Sequence, residues 1–366
     1  MQRTLLVISL ATLLHLAAAP ATGLPLPGAA AWDITSDITV EGVPLVLATN
    51  IVIENGGALH LKGVSATVPL PINITIRAGG VLDLVDGIEP TSGTTQPTRL
   101  SGPMQYDVYA ESGSALRVVG ATLANARLDV ASADATILRS TVTSGIVRVL
   151  SGGVARIDAS ALDTSLESLV DVLDGGAADI NATTFDRAGG ASAFVHPGGV
   201  LRLANATLGQ SGDYGVHIEH GTARVENSTF SLSPSYALYG VGADITLVDS
   251  SFHTHCGVFL VEGTTAILAR NDVRTIDHGF TLSGAGAVDI TRNSFTSTQT
   301  ALLLYDSLPI VHNNSFVGNT VAISTTAPPS WADVDARWNW WGDAAGPATG
   351  QVSGAATVAP WLTSAP

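Results

Sequence analysis

One short phrase recurs through the later part of this chain: DITRNSF at 289–295, IVHNNSF at 310–316 and DARWNWW at 335–341. Its last apolar residue serves as an anchor, and earlier copies place that anchor at Leu123, Val142, Leu162, Phe185, Leu208, Phe230, Phe252 and Val273. Successive anchors from Leu123 to Trp341 lie 19 to 25 residues apart, about 22 on average. A period in this range marks a solenoid, in which each repeat covers the apolar face of its neighbour.

Two columns precede the anchor. Seven residues before it stand Leu116, Ala135, Ala155, Leu201, Ala223 and Ile245; five before it stand Val118, Ile137, Ile157, Ile180, Leu203 and Val225. Both are apolar or small in every repeat. The column between them is mostly polar, with Arg117, Arg156, Asp179, Arg202 and Arg224. Alternation with a period of two gives a strand with one buried face. A second strand follows the anchor, as in Gly215-Val216-His217-Ile218, Ala237-Leu238-Tyr239-Gly240 and Gly257-Val258-Phe259-Leu260. The first and third residues after the small one are its inward candidates. Two or three short strands per coil, turned by Gly and Asn, predict a parallel β-helix of about 12–14 coils, ~22 residues each.

Asn271, Asn293, Asn314 and Asn339 stand two before the anchor in four consecutive coils; earlier coils have Ser140, Ser160, Ser228 and Ser250 there. Asn tolerates the left-handed backbone of a sharp corner, and stacked amides can bond from coil to coil. A structural amide ladder is the expectation.

The N-S-F corners, the restarts at Tyr214-Gly215-Val216 and Tyr236-Ala237-Leu238, and NWWGDAAGP at 339–347 followed by APWL at 359–362 resemble the right-handed parallel β-helix repeat family. The resemblance covers about two-thirds of the chain, and the right-handed winding is what it implies. It is poor in function, since that family includes polysaccharide lyases, glycoside hydrolases, epimerases and adhesins.

Several segments depart from the repeat. Residues 1–23 carry Arg3, an apolar run from Leu5 to Leu16 and three alanines, and read as a secretory signal peptide. Residues 24–84 read as an N-terminal cap with the first coils, 85–108 as a projecting loop, 109–346 as regular coils and 347–366 as a C-terminal cap. No later segment reads as membrane-spanning, so the expectation is a secreted or cell-surface monomer. Of six tryptophans, Trp331, Trp338, Trp340, Trp341 and Trp361 lie in the last 36 residues, where an aromatic plug over the final coil explains them.

Composition excludes some partners. Sixteen basic against 31 acidic side chains give a formal charge of −15, which opposes nucleic acid and anionic lipid. Cys256 is the only cysteine, so no intramolecular disulfide forms.

The outward column of the strand after the anchor offers His217, Tyr239 and Phe259, a row of rings suited to flat sugar faces. An exported module binding polysaccharide or another cell-envelope component is the favoured reading. Glu219, Glu262, Asp277 and His278 lie nearby and would be the residues of a lyase or hydrolase, although no carboxylate pair is evident. A spacer without ligand is the third reading. HTHC at 253–256 is an incomplete metal set, and no motif supports Ca2+ or another cofactor. Glycosylation sequons occur at Asn73, Asn181, Asn205, Asn227 and Asn313.

Overall fold

A computed structural model describes residues 31–88, 94–326 and 333–366. The expected signal peptide and Trp331 lie outside them. The described residues form two compact units, those within 31–165 together with 169–179, and those within 180–366 together with 166–168. Each is an all-β parallel solenoid with about 22 residues to the coil, and the two hold about 14 coils. Among the described residues there is no helix.

In the first unit the inward columns are continuous. Val40 pairs with Leu61, Leu61 with Leu84, Leu84 with Val118, Val118 with Ile137 and Ile137 with Ile157, all buried. The early segment therefore belongs to the same repeat, with Leu82 and Leu116 adjacent across 34 residues. The extra length is a small excursion whose base pairs Gly87–Ile88 antiparallel with Thr95–Gln96.

That finding corrects the projecting loop expected at 85–108. Arg99–Ala110 is a strand paired in parallel with Ser65–Thr67, Asn73–Ile76 and Thr122–Val130. Leu100, Tyr106 and Val108 point into the core, and the Tyr106 hydroxyl donates to the Leu100 carbonyl at 3.3 Å. Pro103 misled the reading. It sits where the register slips between Ser101 and Tyr106, an irregularity that excuses a residue with no N–H to donate.

In the second unit each coil carries three strands, as in Thr222–Glu226, Thr229–Ser231 and Tyr236–Val241. The first holds the alternating columns, the short second holds the anchor, and the third holds the candidate rings. Leu203 pairs with Val225, Val225 with Leu247 and Leu247 with Leu268. Anchors also stack: Phe230 lies 4.9 Å from Phe252, Phe295 5.2 Å from Phe316, and Phe316 5.1 Å from Trp341. Such offset ring pairs add to the burial of apolar area. Trp341 is thus core, while Trp361 covers Gly346 and donates from Nε1 to the Ala344 carbonyl at 3.2 Å. The tail adds pairing of its own, since Val352 pairs with Ile323 and Ala356 with Val334.

The corner differs from expectation in one respect. The left-handed residue is the one before the recurring Ser or Asn: Asn227 (φ 48), Asp249 (φ 54), Arg270 (φ 56), Arg292 (φ 57), Asn313 (φ 58) and Trp338 (φ 60). The following side chain turns inward. Ser228 N–H donates to Ser250 Oγ, Ser250 N–H to Asn271 Oδ1, Asn271 N–H to Asn293 Oδ1, Asn293 N–H to Asn314 Oδ1, and Asn314 N–H to Asn339 Oδ1, at 2.7 to 3.1 Å. Each Asn Nδ2 also donates onward, as from Asn293 to Asn314 Oδ1 at 3.0 Å and to the Leu268 carbonyl at 2.8 Å. The four asparagines are buried, so every polar atom they bring needs these partners.

Asn293→Ala removes bonds on both sides and strands the buried Asn271 N–H, at about 1–3 kcal/mol for each buried group left unsatisfied. Denaturant unfolding should show a loss of at least ~2 kcal/mol, against under ~0.5 kcal/mol for the exposed Thr222→Ala. Equal effects would contradict the ladder's role.

Candidate functional site

Parallel register decides what shares the outward face of the third strands. Phe194 pairs with His217, His217 with Tyr239, Tyr239 with Phe259, and Phe259 with Thr281. The residues on either side of these point inward, with Val216, Ile218, Leu238, Val258 and Leu260 fully buried. One rung per coil, at about 4.8 Å, brings the rings into contact. Phe194 lies flat on His217 with centroids 4.4 Å apart, and His217 and Tyr239 are 5.1 Å apart. Tyr239 and Phe259 are separated by 5.5 Å.

A second column flanks the first. Tyr214 stacks on Tyr239 at 4.8 Å and meets His217 edge-on at 5.1 Å; Tyr236 lies 5.0 Å from Phe259, and His196 stacks on Phe194 at 4.0 Å. Seven rings, all half-buried, form one surface. His217, Tyr239 and Phe259 are brought together as their shared column predicts. Tyr214 and Tyr236, which open the coil restarts, belong to the surface as well. Phe194 and His196 escape the sequence pattern because the strand Ala193–Val195, which holds Phe194 and ends just before His196, has only three residues and an alanine at its first inward position. The small slot that opens each third strand has a steric cause, since a Cβ on Gly215 would meet the Ala237 carbonyl and the Phe230 ring.

The four acid–base candidates fall in two places. Glu219 closes one third strand, and Glu262 follows the end of another, where φ is 50. Asp277 and His278 lie at the start of the strand His278–Ser283. Five residues at about 3.3 Å each separate the two groups by ~16 Å along the strand direction alone. Within the first group, His217 Nε2 lies 3.2 Å from Glu219 Oε1. Within the second, His278 Nδ1 lies 3.4 Å from Asp277 Oδ1.

Burial raises the Tyr239 phenol, and the charges of Glu262 and Glu219 raise it further. Tyr214 and Tyr236 move the same way, chiefly through burial. All three hydroxyls stay protonated and able to donate at neutral pH. Burial pushes the Cys256 thiol up as well, against the backbone N–H of His278 that favours the thiolate.

The sequon asparagines are placed as follows. Asn73, Asn205, Asn227 and Asn313 are exposed, and Asn181 is half-buried. Asn205 and Asn227 occupy left-handed corners, and Asn205 Nδ2 donates to Asn181 Oδ1 at 2.7 Å. Among the described residues no helix is long and apolar enough to cross a membrane.

Residues 170–330 match the family model described as the right handed beta helix region. No curated protein matches the chain. Among solved structures, the chain is similar to a TibC-catalyzed hyper-glycosylated TibA55-350 fragment, at 14% identity over 81% of this chain and 98% of that one, with a TM-score of 0.23. Geobacillus virus E2 ORF18 is 10% identical over 77% of this chain, with a TM-score of 0.22; the match spans 56% of that protein's length.

His217 yields a pH prediction. Burial lowers its pKa from about 6.5, while Glu219 and Asp213 oppose the shift. The unfolded imidazole then takes up its proton first. His217's contribution to stability is complete above ~6.5 and is lost as pH falls through the lower folded value. An NMR titration of the ring should give a midpoint below the ordinary value, and Glu219→Gln should lower it again. A midpoint at or above the ordinary value contradicts the assignment.

Proposed function

We propose, on the premise that residues 170–330 form a right-handed β-helix region, that this chain is an exported, surface-associated module that binds polysaccharide. One observation carries the reading: Phe194, His217, Tyr239 and Phe259 pile up in register on a half-exposed face, flanked by Tyr214 and Tyr236. Sugar rings present flat C–H faces to which aromatic side chains offer apolar area and a complementary quadrupole. A row that repeats at every coil suits a ligand that repeats too. Export rests on the leader-like segment 1–23.

Charge narrows the ligand. Glu219 and Glu262 flank Tyr239, in a chain of formal charge −15. Uronic-acid polymers would meet like charge there, whereas a neutral glycan brings hydroxyl groups that a carboxylate accepts from strongly. Neutral polysaccharide is the favoured class. The exposed sequons Asn73, Asn205, Asn227 and Asn313, and the half-buried Asn181, are proposed glycosylation sites if the source modifies exported proteins.

A glycan array followed by titration of the best binder tests this reading. Tyr239→Ala should weaken binding about tenfold, equivalent to ~1.4 kcal/mol, and Phe194→Ala comparably. No binding across neutral and acidic glycans, or an unchanged affinity in both variants, would leave the spacer reading. Release of shortened products in the same assay would move the conclusion to chemistry at the His217–Glu219 pair.

A further inference from the structure

Cys256 is the chain's only cysteine and is 6% exposed. A ring nitrogen of His255, the Cys256 Sγ and a carboxylate oxygen of Asp277 all lie within 4.8 Å of one another. His255 and Asp277 share a register one coil apart, since the Asp277 N–H donates to the His255 carbonyl at 3.0 Å. The motif HTHC is therefore completed from the next coil, and of its two histidines His255, not His253, takes part.

We propose that His255, Cys256 and Asp277 form a three-ligand site for a thiolate-preferring divalent transition ion, Zn2+ being the best match, with a fourth position open on the exposed side of His255. One sulfur, one nitrogen and one oxygen suit Zn2+, at bond lengths of about 2.3, 2.0 and 2.1 Å. Ca2+ and Mg2+ demand more oxygen ligands than the cluster holds. Closing on an ion needs the three donors drawn in by roughly an ångström from their widest allowed separation. Side-chain rotation suffices, because His255 is exposed and Asp277 is half-buried. The supporting contacts are already in place. Thr254 Oγ1 donates to the Cys256 carbonyl at 2.7 Å and fixes the turn, while the buried His278 Nδ1 lies 3.4 Å from Asp277 Oδ1 with no hydrogen bond of its own, close enough to support the carboxylate once it turns onto an ion. The backbone N–H of His278 also donates to the Cys256 sulfur.

The site is independent of the glycan reading and is tested on the purified full chain, reduced and stripped of metal. Titration with Co2+ should produce a thiolate-to-metal charge-transfer band that saturates at one ion per chain and is bleached by Zn2+. Cys256→Ser should abolish the band. His255→Ala and Asp277→Asn should each weaken Zn2+ binding at least tenfold by calorimetry, with unchanged circular dichroism. His253→Ala should leave binding unchanged, and excess Ca2+ should not compete. Absence of the band in the wild type overturns the proposal. So does a band that persists with full affinity in both His255→Ala and Asp277→Asn, which would mean a thiol acting alone.

Discussion

Within each unit, nearly every described strand is satisfied by the coils beside it, in parallel and in register. Backbone N–H and C=O groups demand such partners wherever water is excluded. The consequence is that like positions lie on like positions at about 4.8 Å. An interior residue of this fold has two stacking neighbours fixed by the pairing register, and its chemistry must be compatible with both. The core meets that demand with aliphatic columns and with the Phe230–Phe252 and Phe295–Phe316 pairs.

The same demand explains why the inner corner changes from Ser to Asn along the second unit. A buried serine accepts one N–H from the previous coil and donates back to its own strand, as Ser228 does to the Glu226 carbonyl at 2.9 Å. An asparagine accepts the same N–H, and its amide reaches up to three acceptors. Asn314 Nδ2 donates to the Asn339 oxygen, the Ile290 carbonyl and the His312 carbonyl. Amide stacking thereby ties first-strand carbonyls to the corner, in a region where no water can substitute.

Outside the core, stacking becomes a means of building sites. Rings accumulate on the third strands because one permitted aromatic sits above another. His255, Cys256 and Asp277 meet because a turn in one coil lies over the turn of the next. Charges obey the same geometry on the first strands' flank, where Arg270 reaches Asp249 of the preceding coil through two bonds of 2.7 Å. Such exposed pairs add little to stability. Their value is in matching sign to sign across coils that would otherwise repel.

How much of this was legible before the coordinates depends on whether a feature repeats. Ile157, Val225, Ile290 and Phe316 could be assigned to the interior, and Asn293 to an amide ladder, because period two within period 22 leaves one arrangement that buries apolar residues and satisfies the backbone. His217, Tyr239 and Phe259 could be placed side by side for the same reason. Features occurring once gave no such signal. The pairing of Arg99–Ala110 was hidden by Pro103, and Phe194 by a strand of three residues. The left-handed φ at Arg270 rather than Asn271 depends on how the backbone turns, a matter of a single dihedral that no column records. Asp277 could be aligned with His255, but its approach to the Cys256 sulfur depends on the path of a turn. The repeat therefore determined which residues stack. Tertiary structure alone decided which neighbouring columns touch, because that distance is set by corner geometry and not by period.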